Sequence, residues 1–325
     1  MVAVALAGCG EVPAPDVEPA APPSRLAGTP AYDPHLEPAA AVLPYVPQDA
    51  TTLSVTDLDE VRRQLGAPNL TGADLMSDRA EFWRRAESEA PLLAEGLLRA
   101  DTSELMLDHG FTQDDVDWEA HFTGGEASGW VLAFRPDLDM AAVAGAVRAG
   151  VGGLAGATVR PAQHLVVSGV ATDGAASWAT DPAVAGLVGE RAEATYVRRG
   201  CVALEEALGP DASAEDQRAV LARHDVRDLD DLPGFAVSFG DHVATVRLGP
   251  DRADLFDRLH LGDDWPAPDA PAFGDGFTRG VGDPGTGRIG YHVPRPPLAA
   301  RLVLTESLPF AVCNEVTPIA EPTGL

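Results

Sequence analysis

The first regular pattern of apolar and polar positions is Thr51-Thr52-Leu53-Ser54-Val55-Thr56, where β-branched residues and two-residue alternation predict a strand. A helix should follow: Thr56 and Asp59 form a capping-box-like pair, Val61 and Leu65 lie four apart, and Gly66 supplies a stop. Asp78 and Glu81 predict the start of a second helix in the same way, with Phe82, Trp83 and Ala86 on its apolar face. Pro91 disfavours helical geometry at Ala90, so a break and restart are expected there, with Leu93 and Leu97 continuing the buried side. Val116, Trp118, Ala120 and Phe122 then alternate with Asp117, Glu119 and His121, as in a half-buried strand. Gly124-Gly125 turns the chain into a partner strand, Trp130 to Phe134. A helix from about Asp137 to Ala149 should bury Met140, Val143 and Val147 and stop at Gly150-Val151-Gly152-Gly153, before a strand from Leu165 to Val170.

A weaker version of this order recurs. Phe235 to Phe239 and Val243 to Leu248 flank the turn-like Gly240-Asp241. Pro250-Asp251 opens a helix carrying Leu255, Phe256 and Leu259, and Arg288 to Val293 forms the next strand. Phe134-Arg135-Pro136-Asp137 and Leu248-Gly249-Pro250-Asp251 thus occupy the same strand-to-helix junction, a repeat of order without residue identity. The pattern predicts an α+β fold: two tandem domains, residues 45–190 and 191–325, with mainly antiparallel sheets and helices packed on one face. A last strand is expected at Pro309 to Val312. Ahead of these units, residues 10–44 are rich in Pro and Ala, which breaks any periodicity and predicts an extended tether.

Charge and composition narrow the partners. Fifty acidic residues against 23 basic give a net charge of −27, spread along the chain, so nucleic acid and anionic lipid headgroups are both repelled. Every basic residue other than histidine is Arg, and Ile and Asn occur twice each, the usage of a high-GC genome.

Leu6-Ala7-Gly8-Cys9 closes a short apolar stretch with small residues and a cysteine, and it resembles the lipobox of bacterial lipoproteins. The resemblance covers residues 1–9 only. It implies a signal peptide removed before Cys9, a diacylglycerol on the Cys9 thiol, and attachment to the membrane of a high-GC Gram-positive bacterium through acyl chains. No Arg or Lys precedes Cys9, a departure from the positively charged start of such peptides, so residues 1–9 read as a truncated signal peptide whose true start lies upstream. Cys201 and Cys313 are then left as one pair: a disulfide in an oxidising exterior, or two separate buried thiols.

The remaining motifs carry no chemistry on inspection. Gly280-Val281-Gly282-Asp283-Pro284-Gly285 matches the dinucleotide-binding glycine pattern, but Pro284 and the following strand exclude the helix that a pyrophosphate needs, and a flexible loop is expected. Ser238 lacks the first glycine of a nucleophile elbow. Asp241 and His242 read as a hairpin turn rather than a dyad, and the eight His show no zinc spacing. Asp114, Asp115, Asp117 and Glu119, and likewise Asp225, Asp228, Asp230 and Asp231, lack the glycine-containing calcium loop and read as solvated caps and turns. No catalytic residue, metal site or cofactor is therefore expected. The sequence predicts a lipid-anchored extracytoplasmic module that contacts another envelope protein or the cell wall. A solute-binding lipoprotein for a small ligand and an envelope hydrolase with an unrecognised site are the alternatives.

Overall fold

The computed structural model describes residues 31–266 and 271–320. Cys9 and residues 10–30 of the expected tether lie outside the described residues. The tether is shorter than expected at its far end. Pro38 occupies the first turn of helix α1 (Pro38–Ala41), where a missing N–H costs nothing, and the chain continues through a tight turn that buries Val42, Leu43, Tyr45 and Val46. These prolines punctuate folded structure.

The first unit runs β1 (Thr52–Asp57), α2 (Leu58–Gln64), α3 (Met76–Glu89), β2 (Val116–Gly124), β3 (Ala127–Phe134), α4 (Met140–Ala149), β4 (Thr158–Arg160) and β5 (Leu165–Ser168). The second runs β6 (Ala194–Arg199), α5 (Leu204–Leu208), α6 (Ala214–Leu221), β7 (Gly234–Gly240), β8 (Val243–Arg247), α7 (Leu255–Leu261), α8 (Phe273–Gly276), β9 (Thr278–Asp283), β10 (Arg288–His292) and α9 (Pro296–Leu304). The α+β class and the antiparallel hairpins are as the pattern predicts. The ten strands of the described residues join one sheet in the order β4-β5-β3-β2-β1-β6-β7-β8-β10-β9. Read outward from the centre, both halves have the same strand order. The boundary expected between residues 190 and 191 falls just before β6, which pairs antiparallel with β1, so the two units share a sheet.

Local chemistry explains where elements begin and end. β1 continues through Asp57, and it is Asp57, not Thr56, that caps α2 by accepting from the Glu60 amide at 2.9 Å. α3 starts earlier than expected, at Met76, which puts Asp78 inside its first turn at the positive end of the helix dipole. The helix stops at Glu89, before Ala90-Pro91; residues 91–98 form bends and turns, and helical structure restarts only at Arg99, as a run of short turns that ends at His109. α4 ends at Gly150, whose φ of +72° is the left-handed geometry that favours glycine. The glycine-rich stretch at 280–285 is not a loop: it is β9 and the turn into β10, with Pro284 at the turn. Pro309 to Val312 is a tight helical turn and not a strand, although Val312 makes a single parallel bridge to Val202.

The long helices cover one face of the sheet, where two apolar clusters form. One gathers Leu58, Phe82, Leu132, Phe134 and Val143 in the first half, the other Phe235, Phe239, Leu255, Phe273 and Val303 in the second. The opposite face is covered by α1, the turn after it and residues 170–188. There Leu53, Trp118, Phe122, Val131 and the fully buried Trp178 form a third cluster.

Candidate functional site

The separation of the two helical-face clusters follows from two rows of side chains across the sheet. One row reads Leu132, Glu119, Thr56, Ala194, Phe239, Ala244, Tyr291. The next reads Trp130, His121, Ser54, Tyr196, Val237, Val246, Ile289. Both are apolar toward the ends and polar at the centre. A polar seam therefore runs between the two helical layers along β1, β2 and β6, the place where ligands reach a domain most readily.

The middle of the seam is closed by the turns after Pro91. The amides of Leu93 and Ala94 donate to Thr56 Oγ1 at 3.1 and 3.0 Å, and the Leu97 amide donates to both oxygens of Glu119. Glu119 is 1% exposed, accepts also from Gln113 Nε2 at 3.0 Å, and has His121 Nε2 2.6 Å away. On the other side of the seam the Tyr196 hydroxyl donates to Glu306, which also pairs with Arg198. Burial and the Glu306 charge hold the Tyr196 phenol far above its ordinary range. Ser54 lies opposite His121 in the strand register, and no hydrogen bond joins them.

At the end of the seam where β1 meets α2 lies a cleft of about 110 Å³ between Gln64, Arg85 and Glu89 of the first half and Glu193, Asp241 and His242 of the second. Arg85 donates to the Leu65 carbonyl at 2.7 Å and forks onto Glu89 at 3.1 and 2.9 Å. Glu193 is 7% exposed and accepts from the Asp241 amide at 3.1 Å; burial pushes its carboxyl up, which favours the protonated form. Asp241 and His242 both hold positive φ, 52° and 60°, in the two-residue turn between β7 and β8. That confirms the hairpin-turn reading and adds strain of the kind that clusters at binding sites, about 1 kcal/mol or more per residue. The cleft offers donors, a buried carboxyl and an imidazole to a small polar group.

The acidic clusters serve the fold. Asp114 accepts from Trp83 Nε1 at 2.8 Å and from Arg79 at 3.3 Å, Asp115 accepts from the amides of Gly72 and Thr112, and Asp117 pairs with Arg62. Asp230 accepts from the Ala253 amide and Asp231 from Asn314, while their carbonyls take Arg252 and Arg258. Asp225 and Asp228 line a surface depression near His224. Among the described residues, no group of three His, Cys, Asp or Glu converges to hold a metal ion, and no helix is long and apolar enough to cross a membrane. Cys201 and Cys313 are paired, with their Cα atoms 5.0 Å apart.

Sequence patterning did not single out Glu193 or Arg85, because neither sits in a motif and their meeting depends on the joining of the two halves. Glu119 and His121 were legible only as the polar side of an alternating strand. No known protein family matches the chain, and neither a curated protein nor a solved structure matches it.

Proposed function

We propose that this chain is an extracytoplasmic module, held at the outer face of the cell membrane by lipid on Cys9, which acts by binding an envelope partner or ligand and not by chemistry of its own. The pairing of Cys201 with Cys313 carries the reading, because such a bond persists in an oxidising compartment and is rare where thiols are kept reduced. The residues Leu6-Ala7-Gly8-Cys9 support the anchor, and two or more acyl chains suffice for stable attachment. The polar seam and its cleft support binding: they present fixed donors and acceptors between two rigid helical layers.

The test is peptide mass spectrometry of the protein recovered from membranes of its native host, expressed with its upstream region, beside a Cys9→Ala control. An acylated Cys9 together with a linked Cys201–Cys313 peptide is the expected result. An unmodified N-terminal region with both thiols free would overturn the compartment and the anchor together.

A further inference from the structure

Past Cys313 the chain crosses the second half as a strap. Up to that residue it is fixed: Cys313 is bonded to Cys201, its amide donates to the Val202 carbonyl, and Arg258 holds the carbonyls of Phe310 and Val312. Residues 314–320 form neither helix nor strand, and among the described residues no backbone-to-backbone hydrogen bond reaches them. Side chains hold them instead. Asn314 Nδ2 donates to the Leu229 carbonyl at 3.1 Å and to Asp231 at 2.9 Å. Val316 and Ile319 pack against the apolar cluster of the second half, to which Val220, Val226 and Leu229 belong.

One residue grips the middle of the strap. Gln217 of α6 is 5% exposed; its amide donates to the Thr317 carbonyl at 2.7 Å and accepts from the Ile319 amide at 3.0 Å. These are the two bonds by which a parallel strand holds the residues on either side of its partner. Pro318 lies between them and has no N–H that the clamp would need. Main-chain bonds from a fixed surface, with apolar anchors on the segment itself, are how extended peptides are recognised.

We propose that α6 and the turn after it form a groove for an extended peptide of a partner protein, and that residues 314–320 fill this groove in cis until the partner's segment displaces them. The segment that fits carries two apolar residues three apart, the spacing of Val316 and Ile319, with a position before the second where proline is accepted. Because the strap is anchored at Cys313 and pairs with no strand, it can leave without opening the sheet. A tethered occupant acts at an effective concentration in the millimolar range, so the groove opens only to a segment that binds better than the strap. The inference rests on the binding role proposed above and is independent of the lipid anchor.

The experiment is calorimetric titration of the full chain carrying Val316→Ser and Ile319→Ser, which loosen the strap, with an end-blocked peptide of residues 314–320 up to about 5 mM, a concentration that detects weak complexes. Saturable binding is expected, at least about tenfold weaker in the parent, whose own strap competes. Adding Gln217→Ala to the loosened variant should weaken the peptide by about tenfold, since both main-chain bonds are lost. Native-state hydrogen exchange of the unaltered parent is the second measurement: the Ile319 amide should exchange at least about a hundredfold faster than the amides of β6, by local opening. No saturation of the loosened variant, equal binding by variant and parent, or unchanged affinity after Gln217→Ala would each overturn the inference. Loss of cooperative melting in the variant, or equal exchange of Ile319 and β6, would overturn it too, because the strap would then be part of the core. An acylated Cys9 beside such a failure would leave the anchored-module reading standing.

Discussion

Replacing both Cys201 and Cys313 by Ala tests how much of this fold's stability comes from restricting the unfolded chain. The pair closes a loop with a sequence separation of 112 residues. On the chain-entropy model that separation corresponds to about 4.8 kcal/mol at 25 °C. The native side of the balance should change little, since the joined segments are also held by backbone bonds: the Val202 amide donates to Ala311 and the Cys313 amide to Val202, each at 2.8 Å. Both cysteines are only half-buried, so truncation leaves little cavity. An unfolding entropy of about 2.1 cal/mol/K per residue over roughly 290 residues gives about 0.6 kcal/mol/K, and the melting temperature should fall by about 8 °C. Reversible calorimetry of the oxidised parent against Cys201→Ala/Cys313→Ala measures this. A fall of less than about 2 °C would refute the entropic argument at this loop length.

Two other perturbations probe buried charge. Arg258 is 0% exposed and donates to Asp254 at 2.6 Å, to the carbonyls of Phe310 and Val312 at 3.0 and 2.9 Å, and to that of Asp230 at 2.8 Å. Arg258→Met strands the carbonyls of Phe310 and Val312 and leaves Asp254 to Arg252 and the Asp230 amide, so urea denaturation should show a loss of about 2–4 kcal/mol; a loss below about 1 kcal/mol would mean that the network carries little net energy. Asp57 is held up to about 7 by burial, with smaller contributions from Asp59, Glu60 and Glu37. The folded state therefore keeps a proton that the unfolded state releases, and stability should decline as pH rises from about 4 to about 7. Asp57→Asn keeps the acceptor for the Glu60 amide and should flatten that decline in denaturation curves at pH 4.5 and 7.5, by at most about 4 kcal/mol. Asp117, held up to about 6 by burial, leaves a smaller slope of the same sign in the variant. An unaltered slope would show that Asp57 titrates alike in both states.

The local architecture is legible in the residues alone. Two-residue alternation in Val116 to Phe122 and the Gly124-Gly125 turn specify the β2–β3 hairpin, and Gly240-Asp241 does the same for β7–β8, because strand period and turn geometry depend on residues within reach of one another. The stop at Gly150 and the break before Pro91 are legible for the same reason. The similar order of the two units was visible too.

How those units meet depends on contacts between segments far apart in the chain. The pairing of β1 with β6 joins segments about 140 residues apart, and nothing in either strand's own pattern names its partner. That single pairing turns Glu119, Thr56 and Ser54, which the alternation places on a polar outer side, into the floor of a seam beneath two helical layers. It also brings Glu193 to Arg85, neither of which carries a sequence signal. Periodicity records which side of a strand is apolar; which of its polar positions become buried depends on what the rest of the chain lays over them.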